Sequence, residues 1–260
     1  MKVSVIIPLY NKAQFIWETI ESSQVQDIDA EIELCIYDDC STDGSFEVAI
    51  KCCADLFTRG AVHIERGEVN KGTAYATNRA MEMATSDYIF YLGADDLCHP
   101  QRFSRQLGFM IATNSQVVDA YLMYEFEDGD KPTVLRKPTT IESKMECARS
   151  GKNPMNGGTM LWRRDVYDTL VKNDGYFFNE NLRHAEDVEF AFRCVSMFAC
   201  RSCPHILYIA RRGSHNKTAW KANGLPMPKR RKEDLNKIEL IRDKLFGEVK
   251  RKGKRGVFLN

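Results

Sequence analysis

A membrane-spanning helix is missing from this sequence of 260 residues, because no apolar run approaches the roughly 18 residues that such a helix needs. The N-terminal apolar stretch ends at Pro8 and is too short for a signal peptide, so we expect a cytoplasmic protein. Neither sign of charge predominates, since 37 Lys and Arg residues face 36 Asp and Glu residues and leave a formal net charge of +1. This balance excludes the broad basic surface that is typical of nucleic-acid-binding proteins.

A disulfide framework is also not expected. Nine cysteines is an odd number, and the chain is much longer than the small secreted scaffolds that disulfides hold together. Cys200 and Cys203 have the spacing of a redox or zinc pair, but a second pair and a following histidine are missing. Buried small thiols are therefore the favoured interpretation of this pair.

Alternating strand and helix patterns predict an α/β fold. Short β-branched or aromatic runs end in turn residues, and several segments between them carry apolar residues at helical spacing. Such alternation implies crossover connections and a mostly parallel sheet that is covered on both faces. The predicted strands are 3–7, 33–37, 61–65, 87–92, 117–124, 159–163 and 206–210. The predicted helices are 13–23, 45–57, 72–84, 100–112, 187–198 and 229–246, whereas 128–143 is polar and rich in turn residues.

Polar clusters follow three of the predicted strands. Asn11 follows the first, Asp38 and Asp39 follow the second, and Asp95 and Asp96 follow the fourth. In open parallel sheets ligands collect beyond the carboxyl ends of the strands. Either aspartate pair alone could cap a helix or form a turn. Two pairs at one edge favour a binding site, because adjacent carboxylates repel each other unless a cation or a hydrogen-bond donor is close. A hard divalent ion could bind them, with phosphate oxygens completing its coordination shell.

Four motifs in the first 100 residues resemble those of the inverting family 2 glycosyltransferases of GT-A fold. They are VSVIIPLYNK (3–12), IYDDCSTDG (36–44), NKG (70–72) with ATN (76–78), and YLGADD (91–96). NGGTMLWRR (156–164), FNE (178–180) and HAEDVEF (184–190) extend the resemblance to about residue 220. It implies a Rossmann-like three-layer sandwich with a nucleotide-sugar-binding half (1–100) and an acceptor and catalytic-base half (101–220), followed by a basic helical tail (221–260).

The resemblance implies a donor site for a nucleotide-diphosphate sugar, usually a UDP-sugar. Pro8 and Tyr10 match the strand end that packs around the nucleoside, and Asp39 matches the carboxylate that accepts a hydrogen bond from the base. The other positions that match the donor-lining segments are Asn11, Asn70, Lys71, Gly72 and Asn78.

The resemblance also implies a site for Mn²⁺ or Mg²⁺. Asp95 is expected near the ribose and the metal, and Asp96 is the more direct ligand. His215 could complete the metal shell through a neutral imidazole, or it could be an exposed loop histidine. Many relatives carry a further aspartate at the position of Gly93, so this chain departs from the pattern there. Arg211 and Arg212 could contact the diphosphate or be surface cations.

Asp187 matches the catalytic base of the family. An inverting transfer displaces the nucleoside diphosphate in a single in-line step, so one carboxylate must take the proton of the incoming hydroxyl group. Glu186 is the second candidate for this role, although an acid in the first turn of a helix, favoured by the helix dipole, is its preferred interpretation.

Three other classes fit the sequence less well. A sugar-nucleotide-binding module without catalysis could lose the base, but Asp187 is present in its expected context. A nucleotidyltransferase usually has a Gly-rich, basic loop after its first strand, and the segment LYNK (9–12) is not one. A dinucleotide-dependent oxidoreductase would carry the motif G-x-G-x-x-G after its first strand, and this motif is missing here.

The neutral total charge conceals an asymmetry. Residues 229–260 contain 12 basic and 5 acidic residues, whereas the first 228 contain 25 basic and 31 acidic residues. The basic tail surrounds an amphipathic helical pattern and could contact the inner face of an anionic membrane, while a solvated end is the slightly preferred interpretation. The expected partners are the nucleotide sugar and a glycan, lipid-linked or protein acceptor, and a homo-oligomer is compatible with the sequence.

Overall fold

Nine strands, nine α-helices and one short 3-10 helix (Gly157–Thr159) lie within residues 1–213 and 229–247, the part of the chain that the computed structural model describes. The strands are β1 (Lys2–Leu9), β2 (Glu31–Asp38), β3 (Val62–Arg66), β4 (Tyr88–Tyr91), β5 (Leu97–Cys98), β6 (Val117–Phe126), β7 (Thr133–Leu135), β8 (Leu161–Arg163) and β9 (Cys200–Arg212). The helices are α1 (Ile16–Gln24), α2 (Ser45–Cys52), α3 (Ala54–Thr58), α4 (Thr73–Met83), α5 (Arg102–Ala112), α6 (Ile141–Arg149), α7 (Arg164–Asp174), α8 (Glu186–Met197) and α9 (Lys229–Phe246).

The first half of the chain forms the parallel part of the sheet, in the order β3-β2-β1-β4. Alternate residues of β1 face opposite sides of this sheet and enter two separate cores. Ile6 packs in the core that contains residues of α4 and α8, whereas Val5 and Ile7 pack in the core that contains residues of α1 and α5. Helices on both faces explain why β1 is an almost continuous apolar run. This arrangement confirms the predicted three-layer α/β sandwich.

Beyond β4 the sheet becomes mixed. β8 runs antiparallel to β4 and β6, and β5 runs antiparallel to β9. β6 and β9 form a long parallel ladder with a bulge, so the longest ladders are parallel and the predicted mostly parallel sheet is confirmed. β9 begins at Cys200, six residues before the predicted strand 206–210. The thiols of Cys200 and Cys203 are buried and unbridged.

Three helical segments differ from the sequence-based expectations. The predicted helix 45–57 is divided into α2 and α3 at Cys53. α6 begins within the polar segment 128–143, where Thr140 and Ser143 form a reciprocal capping box at its N-terminus. α7 follows β8 directly, and the sequence pattern did not predict it.

The C-terminal helix α9 has the predicted bounds and packs against α8 and α6. Its residues Leu235 and Ile238 are buried in the same core as α8. The predicted domain boundary near residue 220 falls outside the described residues and stays a prediction. In the two described ranges, no helix has the length and apolar character that crossing a membrane requires.

Candidate active site

A cleft of about 800 Å³ lies at the carboxyl ends of β1, β2 and β4. It is bordered by the start of α4 and by the loop before α8. The residues that the sequence predicted for the site and that line this cleft are Pro8, Tyr10, Asn11, Asp39, Asn70, Gly72, Asp95 and Glu186. Four further residues line the cleft to which the sequence analysis assigned no role: Lys12, Tyr91, Arg183 and His184.

The loops after β1 and β2 are joined through Asn11. Its backbone adopts a positive φ of 50°, a conformation that asparagine tolerates better than most residues. The backbone N–H of Asn11 donates to Ser41 Oγ at 2.9 Å, and Asn11 Oδ1 accepts from the backbone N–H of Thr42 at 2.9 Å. Asn11 therefore fixes the loops relative to each other and also borders the cleft.

The two aspartates after β2 have different surroundings. Asp38 is fully buried, and its Oδ2 accepts from the backbone N–H of Ser41 and lies 3.2 Å from Arg66 Nε. Asp39 borders the cleft, and its two carboxylate oxygens accept the backbone N–H groups of Lys71 at 2.8 Å and Gly72 at 2.6 Å. Asp39 thus holds the 70–72 loop against the end of β2.

The 70–72 loop is shaped by a glycine and an arginine. Gly72 has a φ of +98°, which side-chain-bearing residues rarely adopt, and a Cβ there would run into the guanidinium group of Arg183. The same guanidinium donates to Asn70 Oδ1 at 3.2 Å and to the carbonyl oxygen of Asn70 at 3.1 Å. Lys71 does not line the cleft: its backbone N–H donates to Asp39, and its Nζ lies 4.4 Å from the centroid of the Tyr75 ring.

Asn78 lies away from the cleft lining. Its Nδ2 donates to the carbonyl oxygen of Phe178 at 2.9 Å and to Glu180 Oε1 at 2.8 Å, and its Oδ1 accepts from the backbone N–H of Phe178. The side chain is nearly fully buried. Asn78 therefore connects α4 to the loop that precedes α8.

The two aspartates after β4 also differ. Asp95 borders the cleft, where its Oδ2 lies 2.7 Å from Lys12 Nζ. Asp96 is buried, and its carboxylate accepts from Tyr208 Oη at 2.7 Å and from the backbone N–H of Arg211 at 2.9 Å. Burial, and after it the neighbouring Asp95, raises the pKa of Asp96 to about 7.

Gly93, where the resemblance implies an aspartate, has surroundings that leave little room for a side chain. A Cβ at this position would lie 2.8 Å from Asp96 Oδ2 and 3.1 Å from Tyr208 Oη. The backbone N–H of Gly93 donates to the same tyrosine oxygen at 3.0 Å. The Asp96 carboxylate can therefore occupy its buried position because residue 93 has no side chain.

The two acids at the start of α8 face different surroundings. They follow Ala185, whose φ of 56° is uncommon for a residue with a side chain. Glu186 borders the cleft. Asp187 lies against the 153–157 loop instead: a Cβ at Gly157 would be 2.8 Å from its Oδ2, and Asn153 Nδ2 is 3.4 Å from that oxygen.

Tyr91 lies close to both sets of acids. Burial raises the pKa of its phenol group, and the next contributions come from Glu186, Asp187, Asp96 and Asp95, in that order. The charges of the four carboxylates at the end of β4 and at the start of α8 therefore all act on one side chain of the cleft. Their shared negative field at Tyr91 favours a cation or hydrogen-bond donors between them.

Of the two aspartates predicted as metal ligands after β4, Asp95 is the one that borders the cleft, where it pairs with Lys12. Among residues 1–213 and 229–247, no group of three or more His, Cys, Asp or Glu side chains is arranged to hold a metal. A hard divalent cation needs only one or two carboxylates when phosphate oxygens and water complete its shell, so Asp95 with a bound diphosphate satisfies its chemistry. His215 lies outside the described residues, and Arg212 borders the cleft whereas Arg211 pairs with Glu18.

Comparison with known proteins identifies a family. Residues 4–171 match the model of the family described as Glycosyl transferase family 2. The Bacillus subtilis (strain 168) protein EpsE, which is named as a glycosyltransferase, is 31% identical over 194 residues, which are 74% of this chain and 66% of EpsE. TarS of Staphylococcus aureus (strain MW2), a poly(ribitol-phosphate) beta-N-acetylglucosaminyltransferase, is 27% identical over 74% of this chain but only 32% of its own length.

Solved structures share the fold. The S. aureus TarS 1-349 structure in complex with UDP-GlcNAc has a TM-score of 0.70 at 20% identity and covers 95% of this chain and 70% of that one. A mannosyltransferase from Pyrobaculum calidifontis, in complex with GDP-Man and Mn²⁺, has a TM-score of 0.60 at 18% identity and covers 94% of this chain and 71% of that one. Both likenesses support the GT-A fold.

Proposed function

Since this chain belongs to glycosyl transferase family 2 and is a glycosyltransferase, we propose that it moves a sugar from a UDP-sugar to an acceptor hydroxyl with inversion at the anomeric carbon. The observation that carries this proposal is the single cleft in which the Asp39 loop, Asp95 and Glu186 converge, with Asp187 beside it. Because the chain spans 66% of EpsE and 32% of TarS, the activity of those whole proteins is not transferred to it directly.

The cleft has separate places for the parts of a nucleotide sugar. Tyr10, 43% exposed, offers a ring face to the nucleoside, and the Asp39 carboxylate in the cleft lining is the proposed acceptor for a hydrogen bond from the base. Lys12, Arg183 and Arg212 line the same cleft and provide positive charge for the diphosphate. In this proposal Lys71 acts through its backbone, and Asn78 acts by holding the 178–180 loop.

Asp187 is the proposed general base. Its carboxylate faces the 153–157 loop next to the donor cleft, and the base must face the acceptor rather than the donor. The acceptor oxygen attacks the anomeric carbon on the face opposite the diphosphate, and its proton passes to Asp187. The bond from the anomeric carbon to the phosphate oxygen breaks, and its electron pair leaves with UDP. Glu186 borders the donor cleft, where it suits hydrogen bonding to sugar hydroxyl groups.

We assign the metal ligand of the cleft to Asp95 rather than to Asp96. Asp96 is buried and uses its oxygens for Tyr208 and the backbone of Arg211, whereas Asp95 borders the cleft, where it pairs with Lys12. When bound, Mn²⁺ or Mg²⁺ would neutralise the negative charge that develops on the departing diphosphate. The Mn²⁺ in the structurally similar mannosyltransferase supports this choice.

The acceptor is proposed to be a hydroxyl group of a glycan or cell-surface polymer, and the process to be polysaccharide biosynthesis. The similarity to TarS, a poly(ribitol-phosphate) beta-N-acetylglucosaminyltransferase, supports a polymer acceptor. Lipid-linked and protein acceptors, a homo-oligomer and peripheral membrane contact of a cytoplasmic protein stay predictions. The basic residues after Gly247 lie outside the described part of the chain.

A donor screen tests the proposal. Calorimetry with UDP and measurement of UDP release from a panel of nucleotide sugars should give binding and turnover with at least one UDP-sugar. EDTA should abolish turnover and Mn²⁺ should restore it. Asp95→Asn should lower turnover by about a hundredfold, whereas Asp130→Asn, at an exposed loop position, should match the wild type. Failure to bind UDP would contradict the donor assignment, and turnover that EDTA leaves unchanged would contradict the metal assignment.

A further inference from the structure

A buried aspartate of the C-terminal helix contacts the loop that lines the donor cleft. Asp234 lies in the second turn of α9, one residue before the core residue Leu235, and its side chain is fully buried. A carboxylate is costly to bury unless hydrogen-bond donors surround it. The Asp234 carboxylate is therefore expected to accept hydrogen bonds from groups that pack against α9.

Those groups belong to the segment just before α8. Asp234 Oδ2 accepts the backbone N–H of Arg183 at 3.1 Å and that of His184 at 3.2 Å. The same oxygen lies 3.3 Å from His184 Nδ1. A hydrogen bond at Nδ1 orients an imidazole and leaves Nε2 for another partner. Both His184 and Arg183 border the cleft, so one carboxylate oxygen fixes two cleft residues.

The contacts continue from Arg183 to the opposite wall. Its guanidinium holds Asn70 by two hydrogen bonds and packs on Gly72. Asn70 Nδ2 donates to the carbonyl oxygen of Asp39 at 3.3 Å, and the Asp39 carboxylate accepts from the backbone N–H of Gly72. A continuous series of contacts thus connects α9 to Asp39, the residue that we propose binds the base.

We propose that Asp234 is a positioning residue of the donor site: through the backbone of residues 183–184 it sets Arg183 and His184 against the nucleotide sugar. This inference rests on the proposed function, because it takes the occupant of the cleft to be a nucleoside diphosphate. On this proposal α9 contributes to the affinity for the donor as well as to the hydrophobic core.

Substitutions at Asp234 test the proposal by UDP calorimetry and steady-state kinetics on the full chain. Asp234→Ala removes the acceptor and should weaken UDP binding and raise the donor KM by about tenfold, with a smaller change in kcat. Asp234→Asn keeps a neutral acceptor oxygen, and the loss should be about threefold. Glu233→Gln, at the adjacent exposed position of the same helix, should match the wild type.

A double-mutant cycle separates positioning from simple destabilisation. Arg183→Ala should weaken UDP binding, and adding Asp234→Asn to it should cost less than Asp234→Asn alone, because the two residues act through one set of contacts. Wild-type UDP affinity in both Asp234 variants, or fully additive losses in the cycle, would overturn the inference. If the wild type itself binds no UDP, the proposed function fails instead, so the two failures are distinguishable.

Discussion

At the scale of single residues, the site depends on close packing around the buried Asp96. Its carboxylate, Tyr208 Oη and the backbone of Gly93 are in mutual contact, with no space for an added Cβ. Gly93→Ala should therefore lower the free energy of unfolding by about 1–3 kcal/mol.

Urea unfolding measures this effect against Gly108→Ala. Gly108 is an exposed residue of α5 where a Cβ would meet nothing within 4 Å, so alanine should stabilise the protein by about 0.5–1 kcal/mol. Equal stability of the two variants would contradict the packing that we describe around Asp96.

Glu33 provides a second residue-scale prediction, on pH. It is fully buried, and burial raises its pKa, but hydrogen bonds from Lys2, Ser4 and Thr85 outweigh this and lower the pKa to about 2 from an ordinary value of 4.5. The folded state therefore holds the charged form more strongly than the unfolded state does. The stability from Glu33 is present above about pH 4.5 and is lost as the pH falls toward 2.

Glu33→Gln should consequently reduce stability most at pH 7 and flatten the dependence of stability on pH between 5 and 2.5. The measurement is the free energy of unfolding in urea at several pH values, beside Glu31→Gln, an exposed position of the same strand. Parallel pH profiles of the wild type and Glu33→Gln would show that this carboxylate does not control acid stability.

At the scale of elements, α9 completes the core on one face of the sheet. Leu235 is 8% exposed, whereas Leu240 on the same helix is 72% exposed. Leu235→Ala should lower the free energy of unfolding by about 2–4 kcal/mol, and Leu240→Ala should change it by less than about 0.5 kcal/mol. Chemical denaturation of the full chain tests both. A Leu235→Ala variant as stable as the wild type would mean that α9 does not pack in solution as described.

The elements also explain what the sequence could predict. Local periodicity predicted β1, α1, β2 and α4, because each carries its own apolar pattern. It could not predict how β8 pairs, because a strand of three residues is placed by neighbours distant in sequence. In the candidate site, too, the sequence predicted positions but not side-chain orientations. The strand ends predicted Asp39 and Asp95 at the cleft. The orientation of Asp96, however, depends on Tyr208, 112 positions away, and that of His184 depends on Asp234.

At the scale of the whole molecule, the parallel half of the sheet supplies the loops after β1, β2 and β4, and α8 supplies Glu186 to the same cleft. The two cores on opposite faces of the sheet hold these parts at fixed positions. Residues 1–100 and 101–213 thus each contribute groups to one cleft, and α9 adds contacts from beyond residue 228. This convergence is the physical basis for assigning a single transfer reaction to the chain.

The rate of UDP release from a UDP-sugar, compared between the wild type and Asp187→Asn, tests this account most directly. The account predicts release by the wild type and a loss of about a hundredfold or more in Asp187→Asn, because asparagine cannot take the proton of the incoming hydroxyl group. UDP binding measured by calorimetry should be preserved, since Asp187 faces the 153–157 loop rather than the donor. Equal rates in the two proteins would contradict the assignment of the base, and no release from any donor by the wild type would contradict the proposed reaction.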